Sequence, residues 1–145
     1  MQIRLAETAG FCFGVERAVA LAEQTARSCK NAVTLGPIIH NRHVVARFEL
    51  LGLREISAAD EAQPGQTVVI RAHGIPVGEQ RTLSARGAVT VDATCPFVKK
   101  IHVIAQKAER DGRSLLIIGT PTHPEIIAIA SYCPDAHAFQ SAATL

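Results

Sequence analysis

Two hydrophobic periods alternate along the chain. Short β-branched and aliphatic runs read as strands: Gln2 to Ala6, Ala32 to Leu35, Leu53 to Ile56, Thr67 to Arg71, Val89 to Val91, Ser114 to Ile118 and Ala136 to Phe139. Between them, apolar residues recur every three or four positions, as in Val15, Ala18, Val19, Ala22 and Ala26, which mark one face of a helix. Further helices are predicted from Asn41, a natural N-cap, to about Leu51; from Val77 to Ala85; from Pro96 to about Arg110; and from Pro124 to about Tyr132. Gly52, Gly87 and Asp111-Gly112 supply stop signals. Strand–helix alternation of this kind predicts an α/β fold with parallel strands covered by helices. The Leu/Ile-rich run Ser114 to Ile118 reads as a buried strand.

The stretch Val89 to Lys100 carries the first chemical signal. It reads as strand, tight loop and helix, with Pro96 at the first helical position and Cys95 as the N-cap. The positive end of a helix favours a thiolate there. Taken alone, the segment fits a small buried thiol as well as a metal ligand or nucleophile. Cys12, His40, His73 and His123 repeat the arrangement, each in a loop a few residues after a predicted strand. In a parallel sheet such loops gather at the carboxyl ends of the strands, where ligands bind. Each histidine alone has a plainer reading as a loop or turn residue. Five reactive residues on the same kind of loop favour one shared site.

Thr122-His123-Pro124 echoes Thr94-Cys95-Pro96, so two helices are expected to aim their N-termini at one pocket. Free N–H groups and the helix dipole suit such a pocket to an anion such as phosphate, to which histidines add hydrogen bonds. Glu125, in the first turn after His123, is explained by the dipole alone, or acts as a proton donor beside the anion.

Composition narrows the class. The 145 residues suffice for one ordinary core, and a net charge of +2 is too small to argue for nucleic acid. No apolar run approaches the length of a membrane span, and Met1 to Glu7 lacks the pattern of a signal peptide. A cytoplasmic location is therefore expected, in which the 4 cysteines serve as ligands, nucleophiles or free thiols rather than disulfides. Cys12 and Cys95 lack the close spacing of structural zinc. Single cysteines from separate loops suit an iron–sulfur cluster, which needs at least one further ligand.

The motifs Ala9-Gly10-Phe11-Cys12-Phe13-Gly14-Val15, Gly36-Pro37-Ile38-Ile39-His40-Asn41, Arg71-Ala72-His73-Gly74-Ile75-Pro76, Asp92-Ala93-Thr94-Cys95-Pro96 and His123-Pro124-Glu125 occur in one order from Ala9 to Glu125. Together they resemble the hydroxymethylbutenyl diphosphate reductases of the LytB type, which end the non-mevalonate isoprenoid pathway. The resemblance implies reductive removal of the allylic hydroxyl of hydroxymethylbutenyl diphosphate, giving isopentenyl and dimethylallyl diphosphates. It implies electrons from ferredoxin or flavodoxin and a [4Fe–4S] cluster on three cysteines, with one iron open to substrate. By motif, Cys12 and Cys95 become cluster ligands, His40, His73 and His123 line the diphosphate pocket, and Glu125 delivers the proton.

The same resemblance implies a trefoil of three α/β units, each giving one cysteine. Residues 1–95 correspond to the first unit and residues 96–145 to part of the second; a third unit and a third ligand lie outside this sequence. Cys29 extends the apolar face of its helix and falls roughly 20 Å from Cys12, and Cys133 ends its helix roughly 13 Å from His123, so neither is expected to complete a cluster. The chain alone is expected to lack reductase activity, and a companion chain bearing the third cysteine to restore it. Ile126-Ile127-Ala128-Ile129 departs from the Gly-Thr pair common after that glutamate in the family. The other class of function is a non-enzymatic remnant that binds diphosphate, or zinc through Cys12, Cys95 and a histidine.

Overall fold

The strands fall into two parallel sheets. The computed structural model describes residues 2–7, 9–141 and 143. In chain order the elements are α1 (Phe13–Ser28), β1 (Ala32–Leu35), α2 (Arg42–Leu50), β2 (Arg54–Ile56), β3 (Thr67–Ile70), α3 (Val77–Ala85), β4 (Val89–Asp92), α4 (Pro96–Arg110), β5 (Leu115–Ile118), α5 (Pro124–Ala130) and β6 (Ala136–Phe139). A single 3-10 turn, Ala59–Glu61, lies between β2 and β3. The first sheet has the order β2-β1-β3-β4, and the second pairs β5 with β6.

The central strands β1 and β3 are buried along their whole length, which explains why they read as continuous apolar runs rather than alternating ones. Their side chains divide by parity between two cores. Ala32 and Val69 face a cluster with Ala18 and Ala22 of α1 and Val44 and Phe48 of α2. Val33, Leu35, Val68 and Ile70 face the other side, against Ala59, Ala62, Ile75 and Leu83. Alanines at positions 18 and 22 let α1 lie close on the sheet. Asn41 caps α2 as its sequence predicts: its side-chain oxygen accepts from the N–H groups of His43 and Val44.

The second sheet has a smaller core of Ala105, Ile129, Tyr132 and Cys133, joined by Leu115 and Ile117. Here the expectation of a buried strand at Ser114 to Ile118 is corrected. Residues Leu115 and Ile117 turn inward, but Leu116 and Ile118 are 58% and 64% exposed. A two-stranded sheet with its helices on one face leaves the other face open, and strand side chains alternate between the two. The two sheets meet through α3 and the end of α5. Ser131 Oγ accepts from the Val77 N–H at 2.9 Å, and Gln80 Nε2 donates to the Tyr132 hydroxyl at 2.6 Å.

Gln2 to Ala6 is also corrected: these residues form no strand. Ile3 and Leu5 are 76% and 87% exposed. Alternation supplies the propensity for a strand, but a strand exists only where a neighbour completes its ladder, and residues 2–6 have none among the described residues. Among the described residues, no helix is long and apolar enough to cross a membrane.

Candidate active site at the strand ends

Three loops leave the carboxyl edge of the first sheet and are stitched together beyond it. Ala72 N–H donates to Ile38 O at 3.2 Å, Ala93 N–H to Ile70 O at 3.1 Å, and Cys95 N–H to Ala72 O at 2.9 Å. These bonds extend the ladder order past β1, β3 and β4, so His40, His73 and Cys95 emerge side by side. Asp92 tightens the last loop, its Oδ1 accepting from the Thr94 N–H at 2.9 Å and its Oδ2 pairing with Lys99 at 2.6 Å. Burial alone would raise the Asp92 pKa; the Lys99 and Thr94 hydrogen bonds together bring it below the ordinary carboxylate value.

An open cavity of about 210 Å³ lies at this edge, lined by Cys12, Gly14, Val15, Ala72, His73, Cys95, Val98 and Glu125. Cys12 is the N-cap of α1 and Cys95 the N-cap of α4, so two helices present thiols to one space. Gly14 makes this approach feasible, because a Cβ there would lie 2.5 Å from Cys95 Sγ. Arg17, one turn further along α1, donates to Thr94 O at 3.2 Å and to Asp92 O at 3.3 Å, tying α1 to the loop that carries Cys95.

The histidines gather beside the cavity. The ring centroids of His40 and His73 are 4.9 Å apart, and those of His73 and His123 are 5.7 Å apart with the rings edge to face. Burial, then the neighbouring His40 and His123, then Arg71 hold the His73 pKa below the ordinary imidazole value of 6.5. His123 caps α5, and its Nδ1 accepts from the Glu125 N–H at 3.2 Å. A neutral ring that accepts at Nδ1 carries its proton at Nε2 and offers that N–H as a donor. The triad therefore combines one half-buried ring, His73, with two exposed ones, His40 and His123.

Cys29 and Cys133 lie elsewhere. Cys29 follows the last turn of α1 and packs against the first core, while Cys133 is fully buried in the third. Neither lines the cavity. Within this chain the cavity therefore has two cysteine donors among the described residues. The donor set suits a thiophilic iron–sulfur group as two of its ligands, and the missing Cβ of Gly14 leaves room beside Cys95 Sγ.

The LytB protein family model matches residues 3–144. The chain belongs to the LytB family. Among LytB relatives, the 4-hydroxy-3-methylbut-2-enyl diphosphate reductase of Aquifex aeolicus is 44% identical over 133 residues, which are 91% of this chain and 46% of that protein. The reductase of the same name from Clostridioides difficile is 37% identical, over 93% of this chain and 49% of its own length. A solved LytB-family structure, described as that of the terminal enzyme of the non-mevalonate pathway, superposes with a TM-score of 0.82 at 40% identity, covering 97% of this chain and 52% of that one. The corresponding reductase from Plasmodium falciparum superposes with a TM-score of 0.89 at 28% identity, over 95% of this chain and 44% of its own. The chain thus spans about half the length of the LytB proteins it matches.

Three residues that shape the site were not identified for that role from sequence. Gly14 belongs to the motif around Cys12, but glycine in a helix signals close packing without naming the partner. Arg17 reads as an ordinary helix-surface charge until its carbonyl partners are seen. His102, on α4, is buried behind the His73 loop, where a Cβ on Gly74 would lie 2.6 Å from its Cε1, and it stacks on Tyr132. No one-dimensional signal marks that placement.

Proposed function

We propose that this chain supplies the N-terminal part of a reductive dehydroxylation site for hydroxymethylbutenyl diphosphate, yielding isopentenyl and dimethylallyl diphosphates. The observation that carries the reading is one cavity bounded by Cys12, Cys95, His73 and Glu125, with His40 and His123 packed beside His73. Cys12 and Cys95 would hold two corners of a [4Fe–4S] cluster. When bound, that cluster supplies electrons and an open iron for the substrate hydroxyl.

The remaining chemistry belongs to the chain's own side chains. The diphosphate sits against the histidine triad, where His123 donates its Nε2–H and His73 gains a proton as the anion's charge replaces the repulsion of its neighbours. Glu125, on the cavity wall, holds a proton for the departing hydroxyl. The two sheets correspond to a first unit over residues 1–95 and the opening of a second over residues 96–145. Ferredoxin or flavodoxin is the electron donor, the protein works in the cytoplasm, and a companion polypeptide brings the third cysteine.

The test is anaerobic loading with iron and sulfide, followed by an assay with reduced methyl viologen and hydroxymethylbutenyl diphosphate. The chain alone is expected to show no turnover, and co-expression with the C-terminal half of a LytB relative to restore it. Turnover by the purified chain would overturn the need for a companion. Failure of the chain both to retain iron and to bind pyrophosphate would overturn the site itself.

A further inference from the structure

We propose that His40, His73 and His123 form a binding site for one divalent transition-metal ion of the zinc class. This metal site is separate from the two cysteines. Candidate ligand nitrogens of the three rings all lie within 4.8 Å of one another. A tetrahedral zinc ion with Zn–N distances of about 2.0–2.1 Å places bound nitrogens about 3.3 Å apart and imidazole centroids about 5 Å apart. The observed centroid separations of 4.9 and 5.7 Å bracket that second value. Ring rotation thus closes most of the gap between nitrogens, with little movement of the backbone.

The environment is that of a ligand set rather than of a charged cluster. His73 Nδ1 is buried and has no hydrogen-bond partner among the described residues. His40 and His123 are exposed, so their rings can turn without disturbing a core. Among the described residues, the one bond that ligation disturbs is the 3.2 Å contact from Glu125 N–H to His123 Nδ1, because the ring either ligates through that atom or shifts its proton there. The net gain from one such hydrogen bond is small beside the binding energy of a three-imidazole zinc site. Three protein ligands leave a further position for water or an anion.

This inference does not rest on the diphosphate reading, although both use the same rings. An anion needs the ring N–H groups, whereas a metal needs the ring lone pairs. The two ligands therefore make opposite demands on the same nitrogens.

The test titrates the metal-free chain with Co2+ as an optical stand-in for Zn2+, in parallel with a Cys12→Ser/Cys95→Ser double variant. Both proteins are expected to bind one ion per chain, with the visible bands of a four- or five-coordinate ion and no sulfur-to-metal charge transfer in the double variant. His40→Ala and His123→Ala, both at exposed positions, are each expected to weaken binding by more than about 100-fold. Binding that survives both histidine substitutions, or that disappears in the cysteine double variant, would overturn the proposal. A separate pyrophosphate titration of the metal-free chain reports on the diphosphate reading, so either can fail without the other.

Discussion

Cys95 Sγ sits where a Cβ on Gly14 would be, 2.5 Å from that hypothetical atom. The N-terminus of α1 brings Cys12 to the cavity because its second residue has no side chain to collide with the cysteine of α4. Gly14→Ala should push the two apart. Alanine gains at most about 1 kcal/mol of helix propensity, less at a helix end, whereas overpacking costs about 1–3 kcal/mol. Net destabilisation with reduced iron loading is expected, read by urea denaturation and iron analysis. An unchanged iron content would show that the close approach is irrelevant to the site.

Arg17 is expected to act as a clamp. Its guanidinium holds the carbonyls of Asp92 and Thr94 from across the α1 interface. Hydrogen bonds from a charged donor contribute about 1.5–3 kcal/mol each, but Arg17 is only half-buried, so Arg17→Met should cost about 1–2 kcal/mol. The methionine keeps the aliphatic stem, so lost packing is a small part of that figure. Faster amide exchange at residues 93–95 in the variant would mark the loosened loop; uniform destabilisation without that local effect would argue against a clamp.

Stability should fall as pH drops below about 6.5. His73 and His102 both have pKa values held below the ordinary imidazole value of 6.5, in each case first by burial. For His102, Asp92 partly opposes burial and Lys99 reinforces it. A base with a depressed native pKa is protonated more readily when unfolded, so its contribution is complete above 6.5 and is lost as pH falls from there. Asp92, with its carboxyl pKa lowered, contributes stabilisation that is complete above its ordinary 3.8 and is lost as pH falls below it. His102→Phe retains an aromatic ring against Tyr132 and removes one titration. Its urea midpoint should vary less between pH 8 and pH 5, and an identical pH profile would count against this assignment.

The cysteines should divide by substitution. Cys12 is exposed, so Cys12→Ser should leave stability within about 0.5 kcal/mol and abolish iron retention. Cys133 is fully buried, with its sulfur 3.7 Å from Arg113 O. Cys133→Ser buries a hydroxyl, at a cost of about 1 kcal/mol or somewhat more, but should leave iron retention unchanged. Denaturation midpoints and iron content measured on the same preparations check both halves. Iron lost with Cys133→Ser would mean that this thiol reaches the site.

The sequence by itself determined which segments become helices and strands wherever the signal is local. Asn41 caps α2, Pro96 and Pro124 open α4 and α5, and the fully apolar runs of β1 and β3 mark strands covered on both faces. It also placed His40, His73, Cys95 and His123 each in a loop after a strand, where the structure has them, whereas the segment before Cys12 forms no strand. Motif order was enough to point to the LytB family. Tertiary structure decided what depends on a neighbour. Gln2 to Ala6 carries a strand pattern but lacks a ladder partner among the described residues, and Leu116 and Ile118 are apolar yet exposed because the second sheet has helices on one face. The fit of Gly14 to Cys95, the reach of Arg17 across to β4 and the place of His102 behind Gly74 are relations between residues about 30 to 80 positions apart. Local propensity has no access to such pairs; packing creates them.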